Sequence, residues 1–245
     1  MDLDEAAKAF RELVAVIQAL RTPGTGCPWD LEQDHRTLRP YLIEETYEVL
    51  DAIDRGADGA FREELGDLLL QIVLHAQVAD DRGAFDVTGV VRGITEKMVR
   101  RHPHVFGSVR VSGAAEVSHN WDQIKAAEAQ AGPPSPAASL ERLPDALPAL
   151  LRAQRVGEKA AKAHLDFGSF AQVRAGLARL EQEATGDASS DSRVRVEHDL
   201  GEVLFALCQV ARRLGVNAED SLRDCTRRAI ESVRRAEQGP EVNGA

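Results

Sequence analysis

Five carboxylates in two neighbouring segments are the side chains best suited to chemistry. They lie in EETYE and ELGD, at Glu44, Glu45, Glu48, Glu64 and Asp67. Glu48 follows Glu44 and Glu45 by four and three residues, so on a helix these side chains crowd together and repel one another. A group of carboxylate oxygens suits a hard divalent cation, and it favours Mg²⁺ or Mn²⁺ over zinc. We therefore expect a magnesium site, at which Mn²⁺ is an acceptable substitute.

The second pair of carboxylates lies in a stretch that is apolar around almost its whole circumference. Between residues 61 and 80, one narrow stripe of polar side chains interrupts the apolar surface. It consists of Glu64, Asp67, Gln71 and His75. A helix that is apolar on all sides is a buried helix. Burying an ion costs several kcal/mol unless a partner compensates it. Glu64 and Asp67 therefore require a cation, and Gln71 and His75 are candidates to support its ligands.

The three glutamates lie on a helix predicted from about Pro40 to Arg55. The short loop RGADGA joins it to the 61–80 helix, which favours antiparallel packing and sets the two acidic stripes face to face. Glutamates on a helix usually belong to a solvated face, but the second helix has no solvated face for its own carboxylates. Since neither stripe contains Lys or Arg, the facing carboxylates predict a metal site.

The remaining apolar periodicity predicts an all-α protein built of two tandem four-helix units. Helices are expected at 4–20 and 87–101 beside the two acidic helices, and at 147–163, 170–184, 194–214 and 218–236. The segment AAEAQAGPPSPAAS has the composition of a flexible linker. We predict an N-terminal domain at 1–125, a linker at 126–139 and a C-terminal domain at 140–245.

The C-terminal half contains an altered copy of the second acidic helix. EHDLGEVLFALCQVARRLG at 197–215 repeats the apolar pattern of REELGDLLLQIVLHAQVAD, which begins at Arg62. In the copy, DLGE replaces ELGD, and the preceding helix offers only Glu181 and Glu183, which point to different sides. We therefore predict a degenerate second domain that keeps the fold and serves assembly.

Composition excludes several classes of partner. The net charge of -10 and the pI near 5.2 argue against a nucleic-acid polymer as ligand. The three cysteines are far apart and form no C-x-x-C pair, so we expect neither a disulfide framework nor a zinc site. The sequence shows no export signal and no apolar run long enough to span a membrane. These features indicate a cytoplasmic protein.

Two further groups of residues suit a nucleotide substrate. Lys97, Arg100 and Arg101 lie about one turn apart near the end of the 87–101 helix, where they are candidates for phosphate contact. Cations also favour helix C-termini for reasons unrelated to a ligand. Trp29, in GCPWDLEQ, is a candidate to stack on a base, although a tryptophan in such a turn is also a common packing residue.

EETYE, a gap of fifteen residues and ELGD resemble the motif of the MazG family of nucleoside triphosphate pyrophosphohydrolases. GCPWDLEQ, RRHPHVFG, the W-x-x-I-K at Trp121 to Lys125 and LPALLRAQ also resemble segments of two-domain bacterial MazG proteins. The resemblance implies an all-α dimer and Mg²⁺-dependent hydrolysis of an NTP to NMP and pyrophosphate. It implies Glu45, Glu48, Glu64 and Asp67 as metal ligands, with Glu44 as a further ligand or water-orienting base. In two-domain relatives activity can reside in the C-terminal copy, which leaves the location of activity open.

Two other functions compete with that of a pyrophosphohydrolase. A di-iron bundle needs two E-x-x-H motifs on helices, and the one match, Glu116 to His119, lies in a predicted loop. A catalytically weak nucleotide-binding regulatory module remains the alternative. In either case, the apolar surface of the 61–80 helix is larger than one four-helix unit can cover. We therefore expect a homodimer whose interface includes this helix.

Overall fold

The computed structural model describes residues 1–128, 136–185 and 190–238, and every regular element in these ranges is a helix. The chain divides into two compact units, Met1–Lys125 and Ala126–Ala245. The helices that begin in the first unit are α1 (Leu3–Leu20), α2 (Pro28–Glu32), α3 (Arg39–Arg55), α4 (Asp58–Asp80), α5 (Val87–Arg101), α6 (Pro103–Phe106) and α7 (Ala114–Glu128). Those of the second are α8 (Pro136–Glu141), α9 (Ala149–Ala161), α10 (Phe170–Ala184), α11 (Ser190–Arg213) and α12 (Ala218–Gln238). The prediction of an all-α protein is confirmed.

One long helix lies at the centre of each unit. In the first unit α4 contacts α1, α3 and α5, and in the second α11 contacts α9, α10 and α12. The core of the first unit is formed where the C-terminal half of α4 meets α1 and the start of α3. Its buried apolar residues are Ile17, Leu38, Val73, Leu74 and Val78. The N-terminal half of α4, which carries Glu64 and Asp67, lies outside this cluster.

A two-residue connection holds α3 and α4 as an antiparallel hairpin. α3 ends at Arg55 and is followed by Gly56, whose φ of +64° is a left-handed conformation that glycine adopts without strain. Only Ala57 then precedes the first residue of α4. The loop is therefore shorter than RGADGA, and α4 begins at Asp58, three residues before the predicted start.

A buried arginine fixes the segment that carries Trp29. Arg21 follows α1, and its Nε donates to Asp81 Oδ2 at 2.7 Å just beyond the end of α4. The same guanidinium donates through Nη1 to the carbonyl oxygens of Asp30 and Gln33, which belong to and follow α2. Since Arg21 is buried and forms all three bonds, it ties α2 to the ends of both α1 and α4.

The predicted linker and the predicted loop around Glu116 are helical where the structure describes them. Of the linker 126–139, residues 126–128 complete α7 and 136–139 belong to α8, while 129–135 lie outside the described residues. Ala and Glu are strong helix formers, and Pro136 suits the first turn of a helix. Glu116 lies in the first turn of α7, where its carboxylate accepts from the backbone N–H of Ser112 at 2.8 Å. The division at 1–125 and 140–245, with a degenerate second domain, stays a prediction.

No helix in the described ranges is both long and apolar enough to cross a membrane.

Candidate metal centre

The α3–α4 hairpin brings three of the predicted ligands together. Glu45 and Glu48 lie one turn apart on α3, and Glu64 lies on the facing side of α4. One carboxylate oxygen from each of the three lies within 4.8 Å of the others. The crowding follows from the short connection, because residues equally far from Gly56 and Ala57 on the two helices face each other.

Asp67 lies within electrostatic range of this group, although its oxygens are not among those within 4.8 Å of one another. Burial raises the pKa of Glu45, and the charges of Asp67, Glu48 and Glu44 raise it further. Burial likewise raises the pKa of Glu64, and the charges of Glu48, Asp67 and Glu63 add to the effect. The neighbouring carboxylates therefore penalise the ionisation of Glu45 and of Glu64. A divalent cation would reverse this penalty, and oxygen donors from two facing helices fit Mg²⁺ or Mn²⁺.

Glu44 lies at the edge of this group. It is exposed, and it acts on the site through the pKa of Glu45, where its charge is the smallest of the contributions. Its oxygen does not belong to the group of Glu45, Glu48 and Glu64. Glu44 is thus close enough to act on the site electrostatically, but its side chain projects about 100° around α3 from that of Glu45.

The basic candidates lie at the end of α5, which contacts α4. Arg100 and Arg101 occupy its last turn, where a positive charge stabilises the helix whether or not a ligand is present. Lys97 is exposed one turn earlier. Their contact with phosphate stays a prediction.

Trp29 has an aromatic neighbour that the sequence interpretation missed. Its ring lies edge-on to Tyr41, with the ring centroids 5.9 Å apart. Both side chains are exposed. Trp29 is therefore not a buried packing residue, and Tyr41 lies in the first turn of α3, one turn before Glu45.

A histidine pair lies further along α4. His75 Nδ1 is 2.9 Å from His35 Nδ1 in the segment between α2 and α3, and Arg82 Nη2 is 2.8 Å from His35 Nε2. Arginine only donates, so His35 Nε2 accepts and the proton of the neutral His35 ring is on Nδ1. His35 Nδ1 therefore donates to His75 Nδ1, which leaves the proton of His75 on Nε2. Spacing along α4 had indicated His75, but the pairing with His35 depends on a contact 40 residues away.

Substitution of His75 tests the pH dependence that this arrangement creates. Burial, followed by the charge of His35, lowers the pKa of His75 from its ordinary 6.5. The unfolded chain therefore binds a proton before the folded protein does, and stability is lost as the pH falls below that ordinary value. We expect His75→Gln to lose less thermal stability than the wild type between about pH 7.5 and about pH 5.5. Equal losses in unfolding midpoint would show that His75 does not carry this dependence.

The second unit forms an acidic group of a different character. His198, Asp199 and Glu202 on α11 lie close enough to hold a metal ion. However, Arg179 on α10 donates from Nε to Asp199 Oδ1 at 2.8 Å and from Nη2 to Glu202 Oε2 at 2.7 Å. A guanidinium thus faces these two carboxylates at the helix pair where the first unit sets glutamates against Glu64 and Asp67. The sequence interpretation missed Arg179.

The two acidic residues of α10 are Glu181 and Glu183, and neither belongs to the group on α11. Arg195 Nε and Ser192 Oγ donate to Glu183, each at 2.6 Å, and these bonds lower the pKa of Glu183 to about 2. Glu183 is therefore held as a carboxylate by its own cation. Glu181, on α10 two residues earlier, is exposed.

An apolar strip occupies equivalent positions on α4 and α11. Each residue pair at the repeat spacing has nearly the same exposed fraction: 44% and 46% for Leu65 and Leu200, 38% and 43% for Leu69 and Leu204, 43% and 45% for Ile72 and Leu207. The prediction of burial around the whole 61–80 helix is therefore wrong for a single chain. The surplus apolar surface that the sequence indicated lies on one side, beside the acidic stripe.

The chain is similar in sequence to several known proteins. Residues 33–106, which contain all five predicted carboxylates, match the model of the MazG nucleotide pyrophosphohydrolase domain. A protein of Thermotoga maritima named nucleoside triphosphate pyrophosphohydrolase/pyrophosphatase MazG is 38% identical over 246 residues, covering 99% of this chain and 91% of the relative. A nucleoside triphosphate pyrophosphohydrolase of Escherichia coli is 38% identical over 229 residues, covering 92% of this chain and 86% of the relative. A crystal structure of a mazG-related protein from Thermotoga maritima covers 47% of this chain and 97% of that chain, with a TM-score of 0.41 and 28% identity.

Proposed function

This chain belongs to the MazG family of nucleoside triphosphate pyrophosphohydrolases, and we propose that its first unit converts an NTP and water into an NMP and pyrophosphate with the help of Mg²⁺. The observation that carries the proposal is the approach of Glu45, Glu48 and Glu64 within 4.8 Å. Burial, followed by the charges of neighbouring carboxylates, raises the pKa of Glu45 and of Glu64, and a bound cation would relieve the repulsion. The reaction belongs in the cytoplasm, which holds the NTP pool.

The metal would be held by four carboxylates, those of Glu45, Glu48, Glu64 and Asp67. Glu45 and Glu48 approach from α3, and Glu64 and Asp67 approach from α4, so the hairpin itself sets the separation of the ligands. Bound Mg²⁺ would polarise a phosphoryl oxygen, acidify a bound water and neutralise the leaving pyrophosphate, and Mn²⁺ would supply the same chemistry.

Glu44 has the role of orienting the water and taking its proton. Its carboxylate is exposed and close enough to raise the pKa of Glu45. Water forms a new P–O bond, the anhydride bond between the α- and β-phosphates breaks, and the proton released from water passes to a carboxylate. An acid that is not committed to the metal suits that transfer.

The substrate would extend from the metal in two directions. Lys97, Arg100 and Arg101 supply positive charge at the end of α5 for the phosphates. Trp29, exposed and fixed through the bonds of Arg21 to the α2 segment, offers an aromatic face to the base.

Product analysis tests the proposal. The full-length chain is incubated with ATP, dTTP and dUTP, with Mg²⁺ and with EDTA, and the products are separated. We expect NMP and pyrophosphate only when the metal is present. Release of NDP and phosphate would contradict the reaction, and binding without turnover would favour the alternative, a nucleotide-binding regulatory module.

We further propose that the protein is a homodimer whose interface includes the strip of Leu65, Leu69 and Ile72. These apolar side chains are exposed on a helix whose buried residues lie in its C-terminal half, and an exposed apolar surface of this kind is usually covered by another chain. We expect light scattering at micromolar concentration to give twice the chain mass of 26.7 kDa. Leu69→Glu should give the mass of one chain.

The equivalent leucine of the second unit provides the matched control for the dimer. Leu204→Glu introduces the same charge into the α11 strip, and the dimer should survive if α4 forms the interface. A monomeric wild type would contradict the proposal. Dissociation caused by Leu204→Glu and not by Leu69→Glu would assign the interface to α11 instead.

A further inference from the structure

The two acidic helices carry one more row of polar side chains beyond the carboxylates. On α3, Tyr41 precedes Glu45 by four residues, and on α4, Gln71 follows Asp67 by four. Because the helices are antiparallel and Glu45 acts on Asp67 across the hairpin, the next row sets Tyr41 opposite Gln71. This row lies about 6 Å along the helix axes from the innermost carboxylates, on the same stripe.

Gln71 and His75 present two buried polar atoms without a protein partner. Gln71 is only 6% exposed, and among the described residues its Oε1 accepts no hydrogen bond. His75 Nε2 is likewise buried without a partner. The bonds of Arg82 and His35 place the proton of His75 on this nitrogen. The stripe therefore offers an acceptor on Gln71 and a donor on His75, one helical turn apart.

Buried polar groups without a partner are unfavourable and usually have an occupant. The four nucleobases that an NTP commonly carries each present an acceptor beside an N–H donor on the Watson–Crick edge. The row also has two exposed aromatic rings at its outer side, Trp29 and Tyr41, in edge-to-face contact. Aromatic faces and a donor–acceptor pair are the two features that recognise a base.

We infer that the nucleobase subsite is formed by Gln71 and His75 together with Trp29 and Tyr41. In this subsite, Gln71 Oε1 accepts a hydrogen bond from the polar edge of the base, and His75 Nε2 donates one to it. Trp29 and Tyr41 contact the face of the base. The inference rests on the proposed function, because the triphosphate must lie against the carboxylates for the base to reach the next row. His35 and Arg82 hold His75 in the tautomer that donates.

Binding measurements test the subsite without turnover. The full-length chain with Mg²⁺ is titrated with three ligands: α,β-imido-ATP, the α,β-imido triphosphate of purine riboside, which lacks the 6-amino group, and a ribose triphosphate without a base. We expect the affinity to fall about tenfold on loss of the amino group and further on loss of the base. Gln71→Leu should weaken α,β-imido-ATP by about tenfold and leave the base-free ligand unchanged.

Gln77→Leu supplies the matched control. Gln77 lies on the same helix, six residues beyond Gln71, and its Nε2 donates to Asp81 at 2.8 Å. This variant should bind all three ligands as the wild type does. If the wild type binds the three ligands equally, or if Gln71→Leu weakens all three alike, the subsite is refuted and buried water is the occupant. Failure of every triphosphate to bind would instead refute the proposed function.

Discussion

Glu48→Gln and Asp67→Asn are expected to lower kcat by about a hundredfold or more while leaving the helical fold intact. Removal of a residue that merely supports a metal ligand commonly costs 10- to 100-fold in activity or metal affinity, so loss of a ligand should cost at least as much. Each substitution keeps the shape of the side chain and removes one charge. The measurement is the rate of Mg²⁺-dependent pyrophosphate release, with circular dichroism to follow the fold.

The same variants should separate activity from stability. Without metal, Glu45 and Glu64 are destabilised by neighbouring carboxylates, so loss of one charge relieves repulsion. In EDTA we therefore expect unfolding midpoints equal to or above that of the wild type. Glu63→Gln is the control, because Glu63 is exposed beside Glu64 and belongs to no ligand group, and it should retain normal turnover. Unchanged turnover in Glu48→Gln would contradict the proposed metal site.

The acidic site could be predicted because its information is local. The spacing on α3 and the polar stripe on α4 depend on helical periodicity alone, and a connection of a few residues leaves the two helices little choice of register. The ends of the predicted helices lie within a few residues of those in the structure, whereas α7 was missed because its segment was predicted as a loop. Glu44 lies outside the group of three oxygens and is exposed where Glu45 is half-buried, because adjacent residues project about 100° apart around a helix.

Features that depend on distant contacts could not be predicted. The tautomer of His75 is set by His35 and Arg82, which reach it from other segments, and no periodicity relates these residues. The exposure of Leu65, Leu69 and Ile72 has a different cause. Apolar periodicity shows that a surface must be covered, but it is the same whether the cover comes from the same chain or from a second one.

Arg179 shows how a single side chain alters the interpretation of a repeated motif. DLGE keeps two carboxylates at the spacing of ELGD, and the sequence alone leaves the second unit with an incomplete ligand set. In the structure, Arg179 supplies one guanidinium to Asp199 and Glu202, so the positive charge comes from the protein. Metal binding there would have to displace a charge-assisted pair of hydrogen bonds, which are roughly twice as strong as neutral ones. The opposing position on α10 could not be assigned from sequence because the α10–α11 connection is longer than that of α3 and α4.

This difference between the units predicts where activity resides. Glu64→Gln removes a ligand whose pKa is raised by burial and by the neighbouring carboxylates of Glu48, Asp67 and Glu63, and turnover should collapse by about a hundredfold or more. Glu202→Gln removes a carboxylate that Arg179 already neutralises, and turnover of the full-length chain should stay near normal. A truncated chain gives a second form of the experiment. Because α7 runs to Glu128, the cut predicted after residue 125 would sever a helix, and 1–128 is the fragment expected to keep activity.

The paired substitutions in the full-length chain are the more decisive form, because a fragment can aggregate through an uncovered surface. Both replace Glu by Gln within the repeated motif, but the repeat relates Glu64 to Asp199 and Asp67 to Glu202, so Asp199→Asn completes the comparison. Asp199 is buried and bonded to Arg179, so its substitution should lower the unfolding midpoint of the second unit while leaving turnover intact. Normal turnover in Glu64→Gln together with collapse in Glu202→Gln would mean that the arginine is displaced in the working enzyme and that the second unit is the catalytic one.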